Sequence, residues 1–94
     1  MARQITAIRM SPGGTAHEHI IHLWWTDQVS GATGNSTRAE LVTWIEYQYG
    51  RAYTSDTAGR RTEVAVVTPA RGEKYLRTHA DGVWTNNLLA LPRR

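Results

Sequence analysis

Three histidines and a glutamate crowd into HEHIIH, residues 17–22, directly ahead of two tryptophans. Such a run raises metal chemistry first. On an extended strand His17 and His19 share one face at i, i+2, and two imidazoles at that spacing can hold one zinc ion. His79, from a separate stretch, could supply a third ligand. Glu18 would point the opposite way and is poorly placed as a base at the same ion. The helical metalloprotease pattern H-E-x-x-H is absent, because the second histidine follows the glutamate directly. The simpler reading has His17 and His19 bonding to neighbouring backbone at a strand start. The sequence favours it, since catalytic zinc takes three convergent protein ligands. Metal binding at His17, His19 and His79 is the least favoured alternative, and no cofactor is expected.

Other chemistry finds less support. SPGGT (11–15) is glycine-rich and could offer backbone N–H groups to an anion. It lacks the lysine and the strand–loop–helix setting of a phosphate loop, so a hairpin turn is the better reading. No G-x-S-x-G nucleophile motif occurs, and cysteine is absent. These absences exclude disulfides and thiolate sites, and the chain is expected not to be an enzyme.

Charge and rings point instead to binding. The net charge is +3 and the pI about 9.8. Residues 1–50 carry three arginines against four acids; residues 51–94 carry seven arginines and one lysine against four. Guanidinium groups bind planar anions bidentately and stack on rings, which ammonium groups do not. Arg60, Arg61, Arg71, Lys74, Tyr75 and Arg77 therefore form a candidate nucleic-acid-binding set, with Tyr75 and Arg77 on one strand face. The competing view is that arginines at turns are ordinary solvated charges. Four tryptophans and four tyrosines occur without any phenylalanine. Trp and Tyr are enriched at protein interfaces. Ile20, Trp24, Tyr47 and Trp84 are the candidate residues for contact with another protein or a second copy of the chain. The competing view is that the apolar ones complete a small core.

The elements that must position these residues follow from pattern. QITAIRM (4–10) reads as a strand ending at the SPGG turn. HIIHLWWT (19–26) reads as its antiparallel partner. Its alternation sends Ile21, Leu23 and Trp25 to the core and Ile20, His22 and Trp24 to the other face. SGATGNS (30–36) reads as a loop. Thr37 and Glu40 form a capping box, and Leu41, Val42, Ile45 and Tyr49 make an apolar stripe on the helix that follows. Trp44 borders the stripe, Tyr47 points away from it, and Gly50 is expected as the left-handed C-cap. RAYTSD (51–56), TEVAVVTP (62–69) and YLRTHA (75–80) read as strands, with turns at Gly59 and at Asp81–Gly82. NNLLALP (86–92) is expected to pack as a strap. The predicted fold is α+β: a single antiparallel sheet of about five strands with one helix on one face, in the order ββαβββ plus the strap. One domain spans residues 1–94, with its ordered core at about 4–92.

HEHI (17–20) and YLRTHADGVWTNNLLALP (75–92) resemble a domain-of-unknown-function family of short bacterial and bacteriophage proteins. The resemblance runs from Ile5 to Pro92 and implies no activity. It implies a bacterial or phage source. With no apolar run near 18 residues and no signal-like N-terminus, a soluble, cytoplasmic protein is expected. The sequence thus favours a non-enzymatic protein–protein interaction module that uses a helix-free sheet face. Nucleic-acid binding is the alternative.

Overall fold

The fold comes from a computed structural model, and the structure describes residues 2–94. Seven strands form one sheet: β1 (Ala2–Met10), β2 (Ile20–Asp27), β3 (Thr33–Thr37), β4 (Arg51–Ser55), β5 (Arg61–Val67), β6 (Tyr75–Ala80) and β7 (Val83–Thr85). One helix, α1 (Arg38–Tyr47), links β3 to β4. The sheet order is β3-β2-β1-β4-β5-β6-β7, and β1 runs parallel to β4 while every other pair is antiparallel. The expectation of about five antiparallel strands is therefore corrected to a seven-stranded mixed sheet. The two extra strands are β3, inside the expected loop, and β7, just before the strap. The parallel pair arises because α1 carries the chain over two strands before β4 returns beside β1, which only a crossover connection permits.

Two register shifts decide which side chains are buried. The β1–β2 pairing slips between Ile5 and Ala7, leaving Thr6 as the extra residue. It slips again between Arg9 and Met10, leaving Ile21 as the extra residue on β2. A bulge turns the following side chains to the other face. Ile5 and Ile8 thus share the core face, and Ile20 joins Leu23 in the core while Ile21 stands in solvent. The expected facing of Ile20 and Ile21 is reversed for this reason.

The core holds Ile5, Ile8, Ile20, Leu23, Leu41, Val42, Trp44, Ala52, Val64, Leu76 and Leu88. Thr37 accepts a bond from Glu40 N–H at 3.2 Å, and Glu40 accepts one from Thr37 N–H at 2.8 Å, completing the expected capping box. At the other end the helix departs from expectation. Tyr49, not Gly50, takes the left-handed conformation, with φ 55°. Gly50 is needed for space, because a Cβ there would lie 2.2 Å from the Trp44 ring. Tyr49, placed on the apolar stripe by its spacing, is consequently outside the helix and exposed.

Beside that end, the Arg3 guanidinium carbon sits 3.9 Å from the Trp25 ring centre and 4.1 Å from that of Trp44. Cation–π attraction on both sides locks β1, β2 and α1 together. Gly34 presses on Trp25 as Gly50 presses on Trp44. Burial lowers the Arg3 pKa, and the Asp27 carboxylate opposes that shift.

The strap folds back on the core side. Leu88 N–H bonds the Thr78 hydroxyl, Asn87 bonds Thr62, and Leu88 is fully buried. Thr78 lies in the same row as Ala52 and Val64, so strap and helix cover one side of the sheet together. The chain then reaches β1, where Ile8 N–H bonds Pro92 and Arg94 N–H bonds Ile8. The opposite face of the sheet keeps neither cover. Among the described residues no helix is long and apolar enough to cross a membrane.

Candidate functional site

The uncovered face is built by cross-strand registers. Opposed residues share a face, so one row runs Thr33–Thr26–Gln4–Tyr53–Glu63–His79–Trp84 across all seven strands. Two and four residues farther along β2 stand Trp24 and His22, and with them on the same face lie Asn35, opposite Trp24, and Arg9, opposite His22.

Trp24 is the centre of the first cluster. The Arg9 guanidinium carbon lies 5.2 Å from its ring centre and that of Arg94 lies 5.0 Å away. Arg9 Nε donates to the main-chain oxygen of Arg94 at 2.9 Å, which holds the two guanidinium groups over one indole. The His22 ring packs 5.0 Å from Trp24, and its Nε2 is 2.7 Å from Asn35 Oδ1. The second cluster lies on β4–β7. His79 meets the edge of Trp84 at 4.7 Å, and Arg61 covers the Tyr53 ring at 4.5 Å. A groove of about 540 Å³ there is lined by Arg51, Tyr53, Arg61, Glu63 and His79.

The charges on this face are one-sided. Arg9, Arg51, Arg61 and Arg77 lie on it with Arg94, against Glu63 alone among strand residues. Arg51 pairs with Glu63 at 3.1 Å, which raises the Arg51 pKa through that hydrogen bond and charge. Arg77 donates to the Thr85 carbonyl and to Asn86. Among the described residues, no Asp or Glu side chain pairs with Arg9, Arg61 or Arg94. These three cations lie against rings. The acids Glu40 and Glu46 sit on α1, on the covered side.

A model of the family described as "Protein of unknown function (DUF3892)" matches residues 4–92. The chain belongs to that family. No curated protein and no solved structure matches it. In this DUF3892 domain the helix-free face is an arginine-flanked aromatic surface whose assembly depends on residues far apart in sequence.

The sequence-derived sets fare differently. Of the contact set, Trp24 and Trp84 share the uncovered face. Ile20 is withdrawn from it by the bulge and lies in the core at 1% exposure. Tyr47 is exposed on α1, away from the sheet. Of the arginine-rich set, Arg61, Tyr75 and Arg77 alternate onto the uncovered face. Arg60 bonds Asp56 at the β4–β5 turn, Lys74 bonds Glu46 of α1, and Arg71 lies in the β5–β6 loop. That set is therefore scattered, and three of its members serve elsewhere or stand apart.

The DUF3892 histidines are also dispersed. His17–His19 is a 3₁₀ turn, not a strand, so the i, i+2 face argument does not hold there. His19 Nδ1 accepts N–H bonds from Thr15 and Ala16, both at 3.1 Å, and closes the turn. His17 is buried with its Nε2 unpartnered. His79 packs on Trp84. Among the described residues no group of three His, Cys, Asp or Glu is placed to hold a metal ion. Sequence reasoning missed Arg9. The signal for Arg9 was present: it lies on the first strand, opposite His22, and a correct register brings it beside Trp24.

Proposed function

We propose that this domain binds single-stranded nucleic acid on its helix-free face, with Trp24 as the stacking platform. The observation that carries this reading is the pair of guanidinium groups, Arg9 and Arg94, held beside one indole. A base that displaces a guanidinium group from over the indole can stack there while the arginines turn to the phosphates, and stacking tolerates any sequence because every base has a π face. The withdrawal of Ile20 into the core leaves the face polar and aromatic, which suits a polyanion with flat rings better than an apolar protein surface.

The test is titration of fluorescently labelled oligothymidylate into the protein at low salt. Binding is expected, with Trp24 emission quenched. The slope of log affinity against log salt is expected near about −2, for about three phosphate contacts at ~0.7 counterions each. Trp24→Ala is expected to weaken binding by about tenfold or more. No binding at low salt, or equal binding by Trp24→Ala, overturns the reading.

A second reading, docking of another protein or of a second copy, draws on one observation. Val83 and Trp84 are exposed on β7, a three-residue edge strand, with Trp84 at 42% exposure. Unpaired edges with apolar side chains invite pairing. Sedimentation that shows a dimer, lost in Trp84→Ala while oligothymidylate binding is unchanged, favours this second reading.

A further inference from the structure

A cavity of about 350 Å³ opens beside Trp24, lined by Thr6, Trp24, Thr26, Thr33, Asn35 and Arg94. Its size falls in the range of small-ligand seats, roughly 300–1,000 Å³. Strand register assembles it. Asn35 stands opposite Trp24 and Thr33 opposite Thr26. Thr6, the extra residue of the β1 bulge, donates its hydroxyl to the Trp24 carbonyl at 3.4 Å. One polar group in this wall has a fixed orientation. Asn35 Oδ1 lies 2.7 Å from His22 Nε2, and an amide oxygen only accepts, so Nε2 carries the proton and donates. His22 in turn packs against the Trp24 ring. The two ends of the Asn35 amide diverge. With Oδ1 turned to His22, which is outside the cavity wall, the Nδ2 end is the one left for the cavity.

We infer that this cavity seats the base stacked on Trp24, and that Asn35, held by His22, selects a carbonyl-bearing base such as thymine over adenine. This rests on the reading above and deepens it by naming the base that fits. An asparagine with both amide ends free bonds adenine twice, accepting from N6 and donating to N7. Here the accepting end is already engaged, so the adenine amino group finds no partner on Asn35. Adenine N1 and N7 both adjoin that amino group, whose hydrogens would face the Nδ2 hydrogens, donor against donor. Thymine O4 is an acceptor and takes an Nδ2 hydrogen without asking the amide to turn. The Thr26 and Thr33 hydroxyls can donate or accept, so they do not choose between bases.

The experiment titrates the full chain with oligothymidylate and with oligodeoxyadenylate of equal length at low salt. Wild type is expected to bind oligothymidylate about fivefold more tightly. His22→Phe keeps a ring against Trp24 but removes the donor, which frees the Asn35 amide to turn and meet adenine. Asn35→Ala removes the amide itself. Neither residue belongs to the core, so both variants are expected to fold, and both are expected to lose the preference. Equal wild-type affinities overturn the inference and leave the face reading intact. A preference that either variant keeps overturns it as well, because the preference then comes from the stacking strength of the oligonucleotide and not from hydrogen bonding. Wild-type protein that binds neither oligonucleotide overturns this inference and the face reading together.

Discussion

Gly50 shows how one missing atom fixes a corner of this molecule. A Cβ at that position would meet the Trp44 ring at 2.2 Å, and that ring is held by the Arg3 guanidinium. The ring cannot yield without breaking the cation–π stack. Gly50→Ala is expected to destabilise the protein by about 1–3 kcal/mol, read by chemical denaturation, as overpacking does elsewhere. His17 carries a second residue-scale prediction. Burial lowers its pKa from 6.5, the Arg77 charge lowers it further, and Glu18 opposes. The folded protein thus takes up this proton at lower pH than the unfolded chain does. Stability is complete above about 6.5 and falls as pH drops through that value toward the lower folded pKa. Wild type is expected to lose more stability than His17→Gln between pH 7.5 and 5.5, measured by denaturant midpoints at each pH. The carboxylates of Asp27, Glu40 and Asp56 are shifted downward by backbone N–H bonds, from 3.8, 4.5 and 3.8, so their losses come at lower pH and do not blur this window.

The elements divide by how local their causes are. The capping box at Thr37 and Glu40, strand β6 and the left-handed Asp81–Gly82 turn, with φ 52° and 77°, were legible because neighbouring residues determine them. β3 was not. Its residues TGNST carry no apolar alternation, and it is a strand only because β2 offers an edge and Gly34 admits the Trp25 ring. The bulges at Thr6 and Ile21 were equally hidden, since alternation read along one strand cannot reveal an extra residue opposite another. They moved Ile20 into the core and brought Arg9 beside His22 and Trp24. Alternation was therefore enough to put Trp24, Tyr75 and Arg77 on the helix-free face, whereas the position of Arg9 and the loss of Ile20 depended on the bulges. The strap was legible through its three leucines, and Leu88 bears its weight. Leu88→Ala is expected to cost about 2–5 kcal/mol in unfolding free energy, measured by urea titration. The same substitution is expected to increase amide exchange at Ile8 and Arg94, whose N–H groups bond across the strap.

At the scale of the whole molecule, the chain weaves its two halves together. β1 lies in the middle of the sheet, antiparallel to β2 over its length and parallel to β4 over Ala2–Gln4. Where β4 leaves it, residues 92–94 take over beside Ile8. The sheet is thus assembled from pairings distant in sequence, which slow folding because loop closure precedes the contacts that reward it. It also separates two sides of different character, helix and strap with Glu40 and Glu46 on one, arginines and rings on the other. A polyanion approaching in solution would be oriented by this asymmetry before contact. The alignment of residues 92–94 with β1 is parallel, as the Ile8–Arg93 bridge records. Tension applied through Ala2 and Arg94 would therefore drag these segments lengthwise past one another. The bonds from Ile8 to Pro92 and from Arg94 to Ile8 would share that load at once instead of opening in turn like a zip, so this domain should resist stretching by its ends far better than its modest size suggests.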